Sequence, residues 1–527
     1  MITTQHSRGS DTKPPRRKSK HPAGGWIAFA LSNAFAFACL VTIPSDSLGL
    51  RCLAVAGCAS FGILRFLAVC VTDRISWQRL VAYGFLAQLI IAPAILSLIP
   101  LDPYTQQQYS KYIPFLPEGI FAAQLAFTCF VIGYAVLPSA KRGMEAELLP
   151  LCQRITLRDF AIVSVPLLIA AWIIRIWLLY QGLYFHQVHA TVETSRLFPM
   201  LAVFEGLGVA PIFVAWALAF TRGPKQRMWW KIAFALTLLD IAWKIPSGRR
   251  EGVFTVLFGI LLSYSLIRRR ILVSQFVIGG ALALVLLLAL GTYRMTVRGF
   301  VEQGSGMSSE TWSGAKAAVD STVSGGPIDS RLSALFTRLA DGVYIAGIIQ
   351  SVPSNLPFQN GDSYYKLLYV LIPRALYPDK PVMNMDVTPI LFPGAGGSAP
   401  VTVVGEGYLN FGWIGIMGAM TAVGALSGLV ERAFLRYSTT CGTFMSFLYL
   451  SVSMVRSFTQ PLAGWVAFFV EMGVIAMGIM LFERALGVRS ASGRRRRFRS
   501  PLANLPGYRR RTTGGQTASG TQLAPEK

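Results

Sequence analysis

The chain has 527 residues, of which 53% are hydrophobic and only 14% are charged, against about 25% charged residues in an ordinary soluble domain. Its mean hydropathy of +0.49 points the same way, so the composition excludes a disordered protein and argues against a soluble enzyme. The net charge is +24, and 17 of the 49 basic residues fall in the two tails, 1–25 and 483–527. Basic tails around an apolar body are typical of cytoplasmic membrane-surface segments and not of a nucleic-acid-binding protein.

Apolar segments long enough to cross a bilayer recur along the chain. A spanning helix needs roughly 20 apolar residues, and we assign twelve such segments, at residues 26–43, 50–72, 79–100, 117–138, 160–180, 199–220, 229–246, 251–267, 271–292, 411–430, 442–460 and 463–482. The sequence therefore predicts an all-α, polytopic membrane helix bundle with about twelve transmembrane helices.

Basic residues mark every second loop between these segments. If the N-terminus is cytoplasmic, the cytoplasmic loops contain the basic clusters at 74–79, 141–158, 222–231, 268–270, 432–436 and 494–497. An excess of lysine and arginine identifies the cytoplasmic side, so we expect both termini to be cytoplasmic. The predicted organisation is a basic tail (1–25), nine helices (26–292), a large outer loop (293–410), three helices (411–482), and a second basic, disordered tail (483–527).

The large loop is too long to be structureless in a compact protein unless it is functional. Within it, residues 331–351 place apolar side chains at helical spacing, and this pattern predicts an amphipathic surface helix against the bundle. The seven cysteines include no CxxC pair, so we expect neither a disulfide framework nor a metal cluster.

Several cations do not follow the excess of basic residues in cytoplasmic loops, because they fall in segments predicted on the outer side. Guanidinium groups and helix N-termini both favour phosphate oxygens, so these residues predict an outer cavity for a lipid-linked phosphate or pyrophosphate. The alternatives are headgroup snorkelling, pairing of Arg374 with Asp379, and helix capping by Arg456. The residues are Arg249, Arg250, Arg294, Arg298, Arg374, Lys380 and Arg456.

A glycine-flanked carboxylate precedes the tenth predicted helix, in the segment Gly405-Glu406-Gly407-Tyr408-Leu409-Asn410-Phe411-Gly412. Glu406 is a candidate general base for a hydroxyl, or else a counter-ion for one of the arginines, and Tyr408 is a candidate glycan contact. His186 and His189 are the alternative bases. Asp240 and Lys244, one turn apart, favour an internal ion pair over a proton relay.

At these segments the chain resembles the bacterial oligosaccharide repeat-unit polymerases, the Wzy-type O-antigen and exopolysaccharide polymerases. The matching pieces are Ser247-Gly248-Arg249-Arg250, Ile372-Pro373-Arg374 with Tyr377-Pro378-Asp379-Lys380-Pro381, and Gly405-Glu406-Gly407-Tyr408 with Asn410-Phe411-Gly412. The family-type positions carried over by this resemblance are Arg249, Arg250, Arg374 and Glu406.

The resemblance implies a GT-C-like membrane glycosyltransferase that needs no metal or other cofactor. Such enzymes join undecaprenyl-pyrophosphate-linked oligosaccharides at the outer, periplasmic face of the bacterial inner membrane. The expected partners are this lipid-linked oligosaccharide, membrane lipids, a chain-length regulator and a flippase. The alternatives are an O-antigen ligase, a flippase or exporter of lipid-linked glycans, and a non-catalytic assembly subunit. The related ligases carry a histidine in the large loop, and residues 293–410 contain none.

Overall fold

The structure is a computed structural model that describes residues 22–71, 76–101, 106–107, 109–136, 148, 151–180, 205–222, 226–245, 250–268, 336, 339–369, 372, 377, 391, 401–437, 440–455 and 457–487. Throughout these ranges every regular element is a helix, which confirms the all-α prediction. The main helices are α1 Pro22–Thr42, α2 Leu48–Val69, α3 Trp77–Leu96, α4 Leu116–Val136, α5 Leu157–Tyr180, α6 Ala210–Arg222, α7 Arg227–Lys244, α8 Arg250–Arg268, α9 Gly342–Ser351, α10 Val403–Tyr437, α11 Cys441–Ser453 and α12 Leu462–Ala485.

Seven helices in the described ranges are long and apolar enough to cross a membrane, and they are α1, α2, α3, a helix that includes α4, α5, α10 and α12. Two more predicted spans coincide with the shorter apolar helices α8 and α11. The ninth predicted span, 271–292, lies outside the described residues. Large apolar side chains face outward along the bundle, as lipid contact requires, among them Ile27, Phe35, Ile173, Leu238 and Ile414.

The centre of the bundle is the crossing of α4 with α10, around which α1, α2 and α9 pack. Glycines allow the two backbones to approach closely, because a methyl group on Gly133 or Gly424 would overlap a carbonyl oxygen of the partner helix, at Thr421 or Phe130. Small residues at helix crossings are the usual means of tight packing in lipid, where no hydrophobic force drives helices together.

Helix α9 corrects the second half of the prediction of a surface helix over 331–351, a range of which the structure describes residues 336 and 339–351. Helix α9 begins at Gly342, and most of its side chains are buried. It packs against α4, where Gly119 comes close to the carbonyl oxygen of Gly342. Its glycines and alanine leave room for close packing, and Val343 and Ile348, two of the apolar positions taken as one face of a surface helix, are instead buried.

Helix α10 begins eight residues before the predicted span. It is bent at Phe411 and Gly412, whose backbone angles are not helical. Gly412 has a φ of +61°, a conformation that glycine adopts at little cost. The predicted start of the span at 411 therefore coincides with the bend, and Glu406 lies in the short helical arm before it.

The tight crossing gives a matched pair of substitutions on α10. Gly424→Ala places a methyl group against Phe130, whereas Gly418→Ala places one where no atom lies within 4 Å. We expect Gly424→Ala to lower the free energy of unfolding by about 1–3 kcal/mol, the usual cost of overpacking, and Gly418→Ala to leave it unchanged. Thermal unfolding in detergent measures both, and equal melting temperatures would contradict the proposed crossing.

Candidate functional site

Glu406 is buried at the place where the large loop, α10 and α12 meet. Its side chain is only 1% exposed. Oε1 accepts a hydrogen bond from the Ser363 hydroxyl at 2.6 Å, and Oε2 accepts one from the backbone N–H of Leu462 at 2.5 Å. Leu462 is the first residue of α12, and a helix N-terminus presents unpaired N–H groups that favour a carboxylate. Glu406 therefore joins the loop to the beginnings of two helices.

Asn410, one turn after Glu406, extends this junction. Its Nδ2 donates to Ser363 Oγ at 2.7 Å and to the Glu406 carbonyl at 2.8 Å, while its Oδ1 accepts from the N–H of Gly361 at 2.9 Å. The backbone carbonyl of Asn410 accepts from Asn360 as well. The loop segment 359–363 is thus bound along the first turns of α10. We call Glu406, Asn410, Ser363 and the N–H of Leu462 the Glu406 junction.

Aromatic rings surround the Glu406 junction. Tyr408 is mostly buried, with its ring 6.4 Å from that of Phe358 and 5.5 Å from that of Trp413. Tyr364 follows Ser363 on the loop, and burial, followed by the nearby Glu406 charge, raises the pKa of its phenol. The predicted glycan contact Tyr408 therefore packs among these rings, where it holds the loop against the bend in α10.

At the opposite end of the bundle, two more glutamate carboxylates accept a hydrogen bond from a backbone N–H at the start of a neighbouring helix. Glu431, on the far side of the bend in α10 and near the end of that helix, accepts from the N–H of Trp77, the first residue of α3, at 3.0 Å. Glu483, near the end of α12, accepts from the N–H of Gly442 in the first turn of α11 at 2.9 Å. Three buried glutamates thus bind the N-termini of neighbouring helices. Taken by itself, a contact of this kind therefore indicates a structural function.

Most of the cations predicted to bind the pyrophosphate or glycan lie outside the described residues. This holds for Arg249, Arg294, Arg298, Arg374, Lys380 and Arg456, and for the alternative bases His186 and His189. Arg250 is the first residue of α8, in agreement with the predicted helix start. In the described part of the chain, Glu406 forms no ion pair within 4 Å. The roles assigned to these residues from the sequence remain predictions.

A second polar cluster is buried among α5, α6 and α7. Lys244 Nζ lies 2.7 Å from Asp240 Oδ2, which confirms the predicted internal ion pair. Arg175 on α5 binds the other oxygen of Asp240, and its Nε lies 3.2 Å from Glu205 Oε1. The four side chains are nearly inaccessible, and we call them the buried charge network.

Sequence reasoning missed Arg175 and Glu205, although each is a charged residue inside a predicted apolar span. Such charges are functional candidates by default, because an unpaired charge in lipid is costly. The guanidinium of Arg175 also lies beside the indole rings of Trp172 and Trp243, at 5.2 and 5.8 Å, an arrangement that adds cation–π attraction. The aliphatic chain of Lys244 packs against Gly252 of α8, so the network connects four helical segments.

A family described as a domain of unknown function (DUF8712) covers residues 173–481, which is more than half of the chain and includes Glu406 and the whole buried charge network. No curated protein and no solved structure matches the chain.

The buried charge network predicts an unequal response to removal of two arginines. Arg175→Met leaves Glu205 and Asp240 buried without their shared cation, and we expect it to lower the free energy of unfolding by about 3–5 kcal/mol. Arg227 is exposed at the start of α7, so Arg227→Met should change stability little. Denaturant titration in detergent measures both variants.

A second comparison separates charge balance from loss of packing. The double variant Asp240→Asn with Lys244→Met removes one charge of each sign and keeps Arg175 paired with Glu205. It should therefore be less destabilised than Arg175→Met alone. Equal stability of Arg175→Met and Arg227→Met would contradict the network.

Proposed function

Since the chain belongs to the DUF8712 family, whose description assigns no activity, we propose a function from its own residues. The protein polymerises undecaprenyl-pyrophosphate-linked oligosaccharide repeat units into O-antigen or exopolysaccharide. It does so as a metal-independent membrane glycosyltransferase at the outer face of the bacterial inner membrane, with both termini in the cytoplasm. A flippase that supplies the repeat units and a chain-length regulator are its proposed partners.

The Glu406 junction is the observation that carries the proposal. It joins a buried carboxylate, the loop segment 359–363 and the beginnings of α10 and α12. Glu406 and Asn410 of this junction belong to the Gly-Glu-Gly-Tyr…Asn-Phe-Gly segment through which the chain resembles the repeat-unit polymerases. A carboxylate at the membrane rim, held under a large loop, is suitably placed for chemistry between two lipid-anchored substrates.

The proposed reaction transfers the growing glycan between lipid carriers. The acceptor hydroxyl oxygen bonds to the anomeric carbon of the donor sugar, the bond from that carbon to the pyrophosphate oxygen breaks, and undecaprenyl pyrophosphate leaves. The hydroxyl proton passes to Glu406. We propose that Arg249, Arg250 and Arg374 stabilise the developing charge on the pyrophosphate, as guanidinium groups do in other phosphate sites, together with Arg294, Arg298, Lys380 and Arg456.

The surroundings of Glu406 restrict how the proton reaches it. Both carboxylate oxygens already accept hydrogen bonds, and the Ser363 hydroxyl donates to one of them. We propose that a proton from the acceptor passes to Ser363 Oγ while the Ser363 proton passes to Oε1, a relay in which the buried Ser363 side chain must become accessible to the acceptor. In this arrangement Glu406 acts as the base through Ser363 and also holds the loop in place.

Transport of lipid-linked glycans is the second candidate function, and the buried charge network is the observation that favours it. Charged side chains within spanning helices often line ion or substrate pathways. Against transport, the sequence shows no internal repeat of the kind that many transporters contain. An O-antigen ligase is a further alternative, distinguished by transfer to a single acceptor instead of chain growth.

The Glu406→Gln variant tests the proposed base. Glutamine keeps the shape of the side chain, and its oxygen can still accept from Leu462, but it does not take up a proton. We expect the purified variant to unfold at nearly the wild-type temperature and to extend lipid-linked repeat units more slowly, by a factor of about 10² or more. The rate of chain extension and the melting temperature are measured on the same preparation.

The two other helix-terminal glutamates supply matched controls. Glu431→Gln and Glu483→Gln change the same kind of contact at the end remote from Glu406, and should retain most of the extension rate per folded molecule. Near-normal extension by Glu406→Gln would show that Glu406 has only a structural role. A simultaneous loss of activity in His189→Ala would assign the base to that histidine.

A further inference from the structure

A row of apolar side chains is exposed on the loop beside the Glu406 junction. The 3-10 helix Tyr364–Tyr369 and the residues after it carry Tyr365, Leu368, Ile372 and Tyr377, and Leu368 is 77% exposed. The centre of the Tyr369 ring lies 5.9 Å from the centres of the Tyr365 and Tyr377 rings. Tyr369 therefore packs between two members of the row. We call the four exposed side chains the interface strip.

The interface strip continues a surface that faces lipid. Tyr364, at the start of the same 3-10 helix, packs against Phe411 at 6.3 Å. Phe411 is half exposed at the bend of α10, and Ile414 and Met417 follow it at one-turn spacing, Ile414 being 74% exposed. Helix α10 is long and apolar enough to span the membrane, so we infer that the exposed row Phe411, Ile414 and Met417 faces the acyl chains.

We propose that the interface strip inserts into the headgroup layer on the side of the bilayer where α10 begins. Tyrosine is enriched at this depth because its ring is apolar and its hydroxyl reaches water. The membrane contact goes beyond the proposed glycosyl transfer and does not depend on it.

A bound glycan accounts less well for this surface. Sugars stack on aromatic faces, but the most exposed member of the strip is an aliphatic leucine, and Ile372 is exposed beside it. Aliphatic groups gain from contact with lipid and not from contact with hydroxyl-rich sugars. Ser363, just before the 3-10 helix, donates to the buried Glu406. This hydrogen bond fixes the start of the segment, so the strip is held next to the bend of α10.

Photocrosslinking in the full-length protein tests this contact. p-Benzoylphenylalanine is placed at Leu368, at Ile414 as the lipid-facing reference, or at Asp362, an exposed acidic position six residues before Leu368. The proteins are reconstituted in nanodiscs of phosphatidylethanolamine and phosphatidylglycerol, irradiated, and analysed by mass spectrometry. We expect phospholipid adducts at 368 and 414 and no phospholipid adduct at 362.

Other outcomes overturn the proposal. A lipid adduct at 414 without one at 368 would place the strip outside the membrane. Equal adducts at 362 and 368 would show that the contact does not follow the strip. Suppression of the 368 adduct by added free oligosaccharide, with the 414 adduct unchanged, would assign the surface to glycan binding. The absence of lipid adducts at both 368 and 414 would contradict lipid contact along α10 itself, and with it the proposed insertion.

Discussion

The bundle depends on hydrogen bonds between buried glutamates and the first N–H groups of neighbouring helices. In lipid, no water satisfies the backbone groups at a buried helix end, so the protein must supply the partner itself. Glu406 does this for α12, Glu431 for α3 and Glu483 for α11. Because each carboxylate belongs to a different helix from the one it binds, these contacts fix where successive helices enter the bundle.

This constraint gives Glu406 a structural role before any chemistry is considered. What distinguishes it from Glu431 and Glu483 is its surroundings: a serine from the large loop donates to it, Asn410 holds that serine, and exposed aromatic side chains lie beside it. The buried charge network follows the same logic inside the bundle, where each cation has a carboxylate within contact distance. The junction and the network together hold α5, α7, α10 and α12 in fixed positions, and the proposed chemistry takes place at the end where the loop meets α10 and α12.

Much of the helical architecture follows from the sequence, because hydropathy over about 20 residues is a local signal. The helices over 22–42, 157–180 and 462–485 were predicted to within a few residues. The contacts between distant segments were not predicted. No local pattern indicates that Ser363 meets Glu406, that Arg175 pairs with both Glu205 and Asp240, or that residues 342–351 are enclosed instead of lying on the surface. Such pairings depend on which helices pack together. The packing partners of a helix cannot be recognised from a short motif in a single sequence.

The most direct test of the account uses the purified wild-type protein in nanodiscs with undecaprenyl-pyrophosphate-linked repeat units as the only substrate. The account predicts a ladder of lipid-linked products that differ by one repeat unit, with release of undecaprenyl pyrophosphate in proportion to chain growth. A single transfer that stops at one product, or movement of the lipid-linked glycan across the bilayer without any new glycosidic bond, would contradict it.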